Sequence, residues 1–419
     1  MRFQTLEQWL AWQEALHPNP IDMGLERVQA VFERMYRQRP PAVVITVAGT
    51  NGKGSTVAML ATILQAAGFR VGSYTSPHVL RYNERIQVEG QQASDDQICE
   101  AFARVDAARG EQSLTYFEFG TLAALSIFYE SGVEVMVLEV GMGGRLDAVN
   151  ILDADVAVIT AIDIDHREWL GDDREQIALE KAGILRAHHP GVIVDQDIPS
   201  SLLAYAREHE VPLYCLERDF DYRLQNGQWQ WLGEDGARYA LPRPAMSGEF
   251  QVQNAAGVLM VLQLLRERLP VSQDAVRRGL LSARLPGRYD YQPGPVATIF
   301  DVAHNPAAAR ALSKTLASQP HGGRTLAVLG MMRDKDHRGV LASLADQVDG
   351  WHVGPLSSPR SAAAGTLASA LGSLTQAPVH CHASVAEAYR AALAEAGAGD
   401  RIVVFGSFYT VAEVQGLRV

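Results

Sequence analysis

The sequence predicts an α/β protein of two domains, each built on a mostly parallel sheet. Three observations carry this. From Val43 onward, short β-branched runs alternate with stretches of helical periodicity, the pattern of strands buried between helices. The alternation stops at "RLPGRYDYQPGPV", Arg284 to Val296, which holds three prolines and two glycines and has no periodicity. It then restarts. The length of 419 residues also exceeds what one core usually holds. The expected division is residues 1–287, a linker at 288–296, and a smaller domain at 297–419.

Taken in order, Phe3, Leu6, Trp9, Leu10 and Leu16 recur at helical spacing, and a second helix starts near Gly24 with Leu25, Val28, Phe32 and Met35 on one face. Val43 to Val47 reads as a buried parallel strand. A helix from Ser55 to Ala67 ends at Gly68, and a strand follows from Arg70 to Tyr74. A helix spans Thr121 to Tyr129, and strands span Val133–Val140 and Val156–Ile162. Tyr214 to Leu241 alternates around Asn226-Gly227, a hairpin signal, and a helix runs from Asn254 to Arg268. In the second domain the clearer elements are strand Ala297–Val302, helix Pro306–Ala317, strand Arg324–Gly330, a helix near Gly339 to Gln347, and strand Arg401–Phe405.

Composition narrows the function. Lys and Arg number 37 against 48 Asp and Glu, a net charge of −11, which opposes a general nucleic-acid binder. The cysteines Cys99, Cys215 and Cys381 are odd in number and far apart, so neither a disulfide framework nor a zinc knuckle is expected. No signal peptide or membrane span is evident, and a reducing cytoplasm fits best.

The most informative stretch is "VVITVAGTNGKGSTVAML", Val43 to Leu60. Glycines after a buried strand let backbone N–H groups turn toward an anion, and the next helix adds its N-terminal dipole. Lys53 can reach outer phosphates, and Ser55 or Thr56 can offer a hydroxyl. The spelling departs from G-x-x-x-x-G-K-[ST], because Val47 stands where the first glycine belongs. Glu139 lies inside an apolar strand, where a carboxylate is costly unless paired or metal-bound. A strand acid opposite a phosphate loop is a usual magnesium ligand. "YTSPHVLRYNERI" follows a strand and so lies on the same sheet edge, with Ser76, His78, Arg81, Asn83, Glu84 and Arg85; alone, it reads as a polar loop. Asp163, Asp165 and His166 end another strand, and Lys181 follows on a helix; a lone His is more often structural. Asp301, His304 and Asn305 sit at a strand-to-helix turn, where Asn305 can simply cap the helix starting at Pro306.

Together, "TVAGTNGKGST", "YTSPHVLRYNERI", "LTYFEFGT", "LEVGMGGRLDAVN", "DHREWLG", "EKAGI", "LPGR" and "FDVAHNP" resemble the Mur ligase superfamily. Within it they resemble the folylpolyglutamate synthase/dihydrofolate synthase family, over nearly the whole chain. The resemblance implies a mononucleotide-binding P-loop-type domain followed by a Rossmann-like ligase domain. It implies that ATP phosphorylates a substrate carboxylate and that the amine of L-glutamate attacks the acyl phosphate. ATP contacts carry over to Asn51, Gly52, Lys53, Gly54, Ser55, Thr56, Asn254, Arg288 and Asp301. Two Mg2+ ions are implied, with ligands at Ser76, Glu139, His166 and Lys181, the last of which is N6-carboxylated in the family. Lys53, Lys181, His166 and His304 are the implied catalytic residues. Dihydropteroate contacts carry over to Asp22, Met23, Gly24 and Leu25, to Thr115, Tyr116, Phe117 and Glu118, and to Arg145, Leu146, Asp147 and Ala148. An aromatic at 116 or 117 would stack on the pterin, while a core role fits one of the two. The glutamate pocket is expected near His304 or Ser407.

The pterin segments imply the bifunctional class, acting on 7,8-dihydropteroate and on reduced folates as a monomer, with no nucleic-acid or membrane partner. A sibling ligase acting on a UDP-sugar peptide would share the ATP site but carries a further N-terminal domain, and only about 40 residues precede the first strand here. A non-catalytic nucleotide switch would lack the Glu139, His166 and Lys181 set.

Overall fold

The computed structural model describes residues 2–417 except 40, 226, 234–237 and 320, and only the backbone of 238 and 239. It forms two compact units. The first comprises Met1–His78, Tyr82–Ala245 and Val252–Ala283; the second comprises Val79–Arg81, Met246–Gln251 and Arg284–Val419.

The first unit holds strands β1 Val43–Ala48, β2 Val71–Tyr74, β3 Ile86–Val88, β4 Gln91–Gln92, β5 Val135–Glu139, β6 Val156–Ile159, β7 Gly191–Ile193 and β8 Leu213–Cys215. They form one sheet in the order β4-β3-β2-β5-β1-β6-β7-β8. From β2 to β8 neighbours pair parallel, and β3 and β4 add an antiparallel edge. β1 and β5 are buried along their whole length, as strands covered on both faces must be. Val47 pairs with Glu139, so the carboxyl ends of β1 and β5 lie side by side. The chain leaves β1 toward β2 on one side and β5 toward β6 on the other. Such a reversal opens a crevice at the sheet's carboxyl edge.

Helix Tyr116–Glu130 is anchored by aromatic packing: Trp9 lies 5.8 Å from Phe102 and 6.4 Å from Phe119, ring centre to ring centre, and Trp12 meets Phe119 edge to face at 5.8 Å. That helix begins at Tyr116 rather than Thr121, because Thr115 and Glu118 form a reciprocal cap. The helix after β1 likewise begins early, at Lys53.

Tyr214 belongs to β8 rather than to the insert that follows. Beyond it, β9 Asp221–Gln225, β10 Gln228–Leu232 and β11 Arg238–Pro242 form an antiparallel sheet of three strands. Gln225 pairs with Gln228 across the expected turn; Asn226 lies outside the described residues. Trp231 fixes this sheet to helix Glu249–Leu264 by donating Nε1–H to the Ala256 carbonyl at 3.1 Å.

The second unit's sheet has six strands: β12 Asp290–Gln292, β13 Ala297–Phe300, β14 Thr325–Leu329, β15 Gly350–Val353, β16 Val379–Cys381 and β17 Arg401–Phe405. Their order is β12-β13-β17-β14-β15-β16, all parallel except β12. Within the stretch expected as a linker, 288–296, residues 290–292 pair as an edge strand with β13, and the compact units divide at Ala283 and Arg284. Val79 packs in this unit's apolar cluster with Phe300 and Val302. Among the described residues, no helix is long and apolar enough to cross a membrane.

Replacing Trp231 by Ala should cost about 3–5 kcal/mol by emptying a buried site. That predicts a fall in melting temperature of about 2–4 °C per kcal/mol, read by thermal denaturation; an unchanged melting curve would mean that the insert does not contribute to the first unit's core.

Candidate active site

The loop after β1 is shaped by two residues that cannot carry a side chain. Gly49 has φ of 151°, and a Cβ there would fall 1.8 Å from Thr160 Oγ1. Gly52 has φ of 91°, and its Cβ would lie 2.8 Å from Asn254 Oδ1. Thr160 Oγ1 donates to the Asn51 carbonyl at 2.7 Å, Thr50 N donates to the Ala161 carbonyl at 2.7 Å, and Thr50 Oγ1 donates to the Asp163 carbonyl at 2.8 Å. The loop is thereby tied to the end of β6. Gly52 precedes helix Lys53–Ala66 and offers no side chain to cap its first N–H groups, which suits an anion at that end. Lys53 folds back, its Nζ 3.0 Å from the Gly49 carbonyl and 3.3 Å from that of Thr50. Gly54 lies in the first turn, and Ser55 and Thr56 behind it are fully buried.

Glu139, buried at the end of β5, accepts from the Ser76 N–H at 3.1 Å through Oε2. Two of the four expected metal residues therefore meet. Lys181 is 2% exposed, on helix Arg174–Ala182. Burial, reinforced by the Lys53 cation, pulls its ammonium down to about 7 against Asp165 and Glu180. His166 stands in an exposed turn with φ of 52°, its N–H bonded to Asp165 Oδ1 at 2.8 Å. Among the described residues, no three His, Cys, Asp or Glu side chains form a ready-made metal cage. A hard divalent cation fits a set of one carboxylate, one hydroxyl and one imidazole when phosphate oxygens and water complete its shell.

The segments expected to bind the pterin are joined by a residue that sequence reasoning did not single out. Arg27 donates to Asp22 Oδ2 at 2.7 Å and to the buried Glu118 Oε1 at 3.1 Å, binding "IDMGLERV" to "TYFEFGT". Met23, Gly24 and Leu25 are half-buried beside it. Glu118 Oε2 also accepts from Thr115 N at 2.7 Å. Tyr116 and Phe117 are both half-buried, so neither is a wholly enclosed core residue. Asp147 caps the short turn Ala148–Ile151, accepting from Met142 N and Val149 N; burial pushes its carboxyl up to about 6. Leu146 is half-buried, while exposed Arg145 pairs with Glu180 at 2.8 Å.

Asn254 lies in the first unit; Arg288 and Asp301 lie in the second. Asp301 accepts from Ala303 N at 2.8 Å and Tyr289 N at 2.9 Å, and burial raises its carboxyl against the opposing Arg288 cation. Arg288 stacks over Phe408 at 5.2 Å, and His304 lies 6.3 Å from the same ring with Nδ1 on the Val302 carbonyl. Phe408 was not anticipated, since its only local signal is a helix start after Ser407. Asn305 caps helix Pro306–Ser318 by accepting from Ala308 N at 2.9 Å, the structural role weighed for it.

A glycine loop beside a strand carboxylate in one α/β unit, and a separate second α/β unit, make up a domain set of the Mur ligase type. The Mur ligase middle domain matches residues 47–262, and the Mur ligase glutamate ligase domain matches residues 287–408. The chain is 45% identical to the Escherichia coli dihydrofolate synthase/folylpolyglutamate synthase over 98% of its own length and 94% of that protein. It is 41% identical to the Haemophilus influenzae protein of that name, over 97% and 96%. A solved structure of E. coli FolC in complex with DHPP and ADP superposes with a TM-score of 0.93 at 44% identity, covering 99% of this chain and 98% of that one. A bifunctional folylpolyglutamate synthase/dihydrofolate synthase with Mn, AMPPNP and L-glutamate bound gives 0.91 at 45% identity, covering 99% and 98%. The chain belongs to the Mur ligase family and, within it, to the dihydrofolate synthase/folylpolyglutamate synthases.

The Lys181 environment makes a pH prediction. Folding depresses its ammonium from 10.5 to about 7, so the unfolded chain binds more protons between those values, and the folded state gains stability as pH rises through that window. Lys181→Met should flatten the rise, measured by melting temperature in CO2-free buffer; an identical slope in the variant would remove the buried neutral amine.

Proposed function

We infer that the chain is an ATP-dependent ligase that joins L-glutamate to 7,8-dihydropteroate and adds further glutamates to reduced folates. The observation that carries this reading is the uncapped glycine loop beside buried Glu139, in the unit where Arg27 draws the two pterin segments together. The names of the full-length relatives support the same substrates.

The loop N–H groups and Lys53 hold the ATP phosphates. The acceptor carboxylate attacks the γ-phosphorus; the bond to the β–γ bridging oxygen breaks, and ADP leaves. The resulting acyl phosphate gives the carbonyl carbon a good leaving group. The amine of glutamate then attacks that carbon, phosphate leaves, and the amine's proton passes to a nearby base. Ser76, Glu139 and His166 are the residues that would hold Mg2+, which would neutralise crowded phosphate oxygens when bound. Two ions fit the reading if Lys181 carries a carbamate. Its amine, held near 7, is a nucleophile toward CO2 at neutral pH, and the carbamate would exchange a buried cation for an anion. Asn254 in the first unit, and Arg288 and Asp301 in the second, are nucleotide contacts by the family resemblance alone. The protein acts as a monomer in the cytoplasm in this reading.

The test is ADP release with Mg-ATP and L-glutamate, comparing 7,8-dihydropteroate, tetrahydrofolate and no acceptor. Release with both, and products heavier by one glutamate, supports the bifunctional reading. Release with tetrahydrofolate alone removes the dihydropteroate activity, and release with neither overturns the proposal. Lys53→Ala should lower kcat by at least about 100-fold while the fold survives, the scale of losing one transition-state cation or donor; a folded, fully active variant rules out the phosphate loop. Lys181→Ala should be inactive and partly rescued by a small added carboxylate, whereas full activity without rescue discards the carbamate.

A further inference from the structure

Arg85 has no role in the site as described, yet its placement demands one. It is only 9% exposed. Its Nε donates to His78 Nδ1 at 2.8 Å. Its guanidinium carbon stands 5.3 Å from the Tyr82 ring centre and 5.6 Å from that of Tyr116, and those two rings meet edge to face at 5.9 Å. The Tyr74 hydroxyl is a further neighbour of the cation. Among the described residues, Arg85 is in no ion pair with a carboxylate, and its polar neighbours are the neutral His78 ring nitrogen and the Tyr74 hydroxyl. A buried guanidinium ordinarily has an anionic partner, because removing it from water is costly. Aromatic faces return only part of that cost.

The position says what would supply the anion. Tyr116 belongs to the expected pterin segment and opens helix Tyr116–Glu130. The Arg85 carbonyl accepts from Thr75 N–H at 2.9 Å, next to Ser76, whose own N–H is on Glu139. Arg85 thus stands between the pterin segment and the strand end where phosphate transfer is expected. We propose that Arg85 binds the anionic group of the acceptor substrate, the carboxylate that becomes phosphorylated. A planar fork of donors matches a carboxylate, and a cation beside that oxygen favours charge building up there. This rests on the folate-ligase reading.

The test compares binding of 7,8-dihydropteroate with that of its carboxamide, an uncharged analogue of the same shape, to full-length protein by fluorescence or calorimetry, with ADP binding measured alongside. The wild type should prefer the carboxylate by about 10- to 100-fold, the range for a charge-assisted contact. Arg85→Met should erase that preference while binding the carboxamide and ADP as before. A side chain that only shapes the wall would weaken both pterins equally, so an unchanged preference in Arg85→Met overturns the inference. Should Arg85→Met not fold, Arg85→Lys is read instead: it keeps the charge but loses the fork, so a reduced preference supports the assignment and a full one overturns it. A wild-type protein that binds ADP but neither pterin sinks the folate reading itself, and this inference with it.

Discussion

Two backbone positions without side chains govern the rest of the proposed nucleotide site. Gly49 and Gly52 bring the loop after β1 into contact with Thr160 and Asn254, closer than any Cβ permits. That approach aims the uncapped start of helix Lys53–Ala66 at the carboxyl edge of the sheet. It also curls Lys53 over its own loop carbonyls. Strand order does the remainder. With β1 and β5 adjacent and their connections leaving in opposite directions, the phosphate loop and Glu139 share one crevice.

Charge burial is the second theme, and one cation links its parts. Burial moves Lys181 down and Asp147 up, both toward neutrality, and Lys53 acts on both. A lysine and an aspartate displaced in opposite senses beside a phosphate loop are hard to explain as packing, since a methionine and an asparagine would fill the same space more cheaply. Asp301 repeats the pattern in the second unit, where burial lifts it against Arg288. Arg85 is the case in which no carboxylate among the described residues pairs with a buried cation.

Local signals served well where the chain is periodic and buried. β1 begins at Val43 as read, and β17 matches Arg401 to Phe405. They failed where pairing is non-local. β12 is three residues long, lies among prolines and exists because Thr298 to Phe300 stand ready to pair with it; nothing within residues 290–292 announces that. The Asn226-Gly227 signal announced the pairing of β9 with β10, but β11 joins only through register with β10. The early start of the helix at Tyr116 follows from a cap, "TYFE", that reads equally well as a binding segment.

By itself the sequence determined the class of chemistry: a glycine loop, an acid in an apolar strand and an ordered set of motifs fix which atoms the protein brings to a nucleotide. Only the tertiary structure decided which of those residues act on one another. Arg27 and Glu118 are 91 positions apart, and their ion pair joins two segments proposed for the pterin that the sequence could name but not connect. Whether Lys181 is an ordinary solvated lysine or a neutral amine depends on burial and on the Lys53 charge. Both are properties of distance in three dimensions, and spacing along the chain does not encode them.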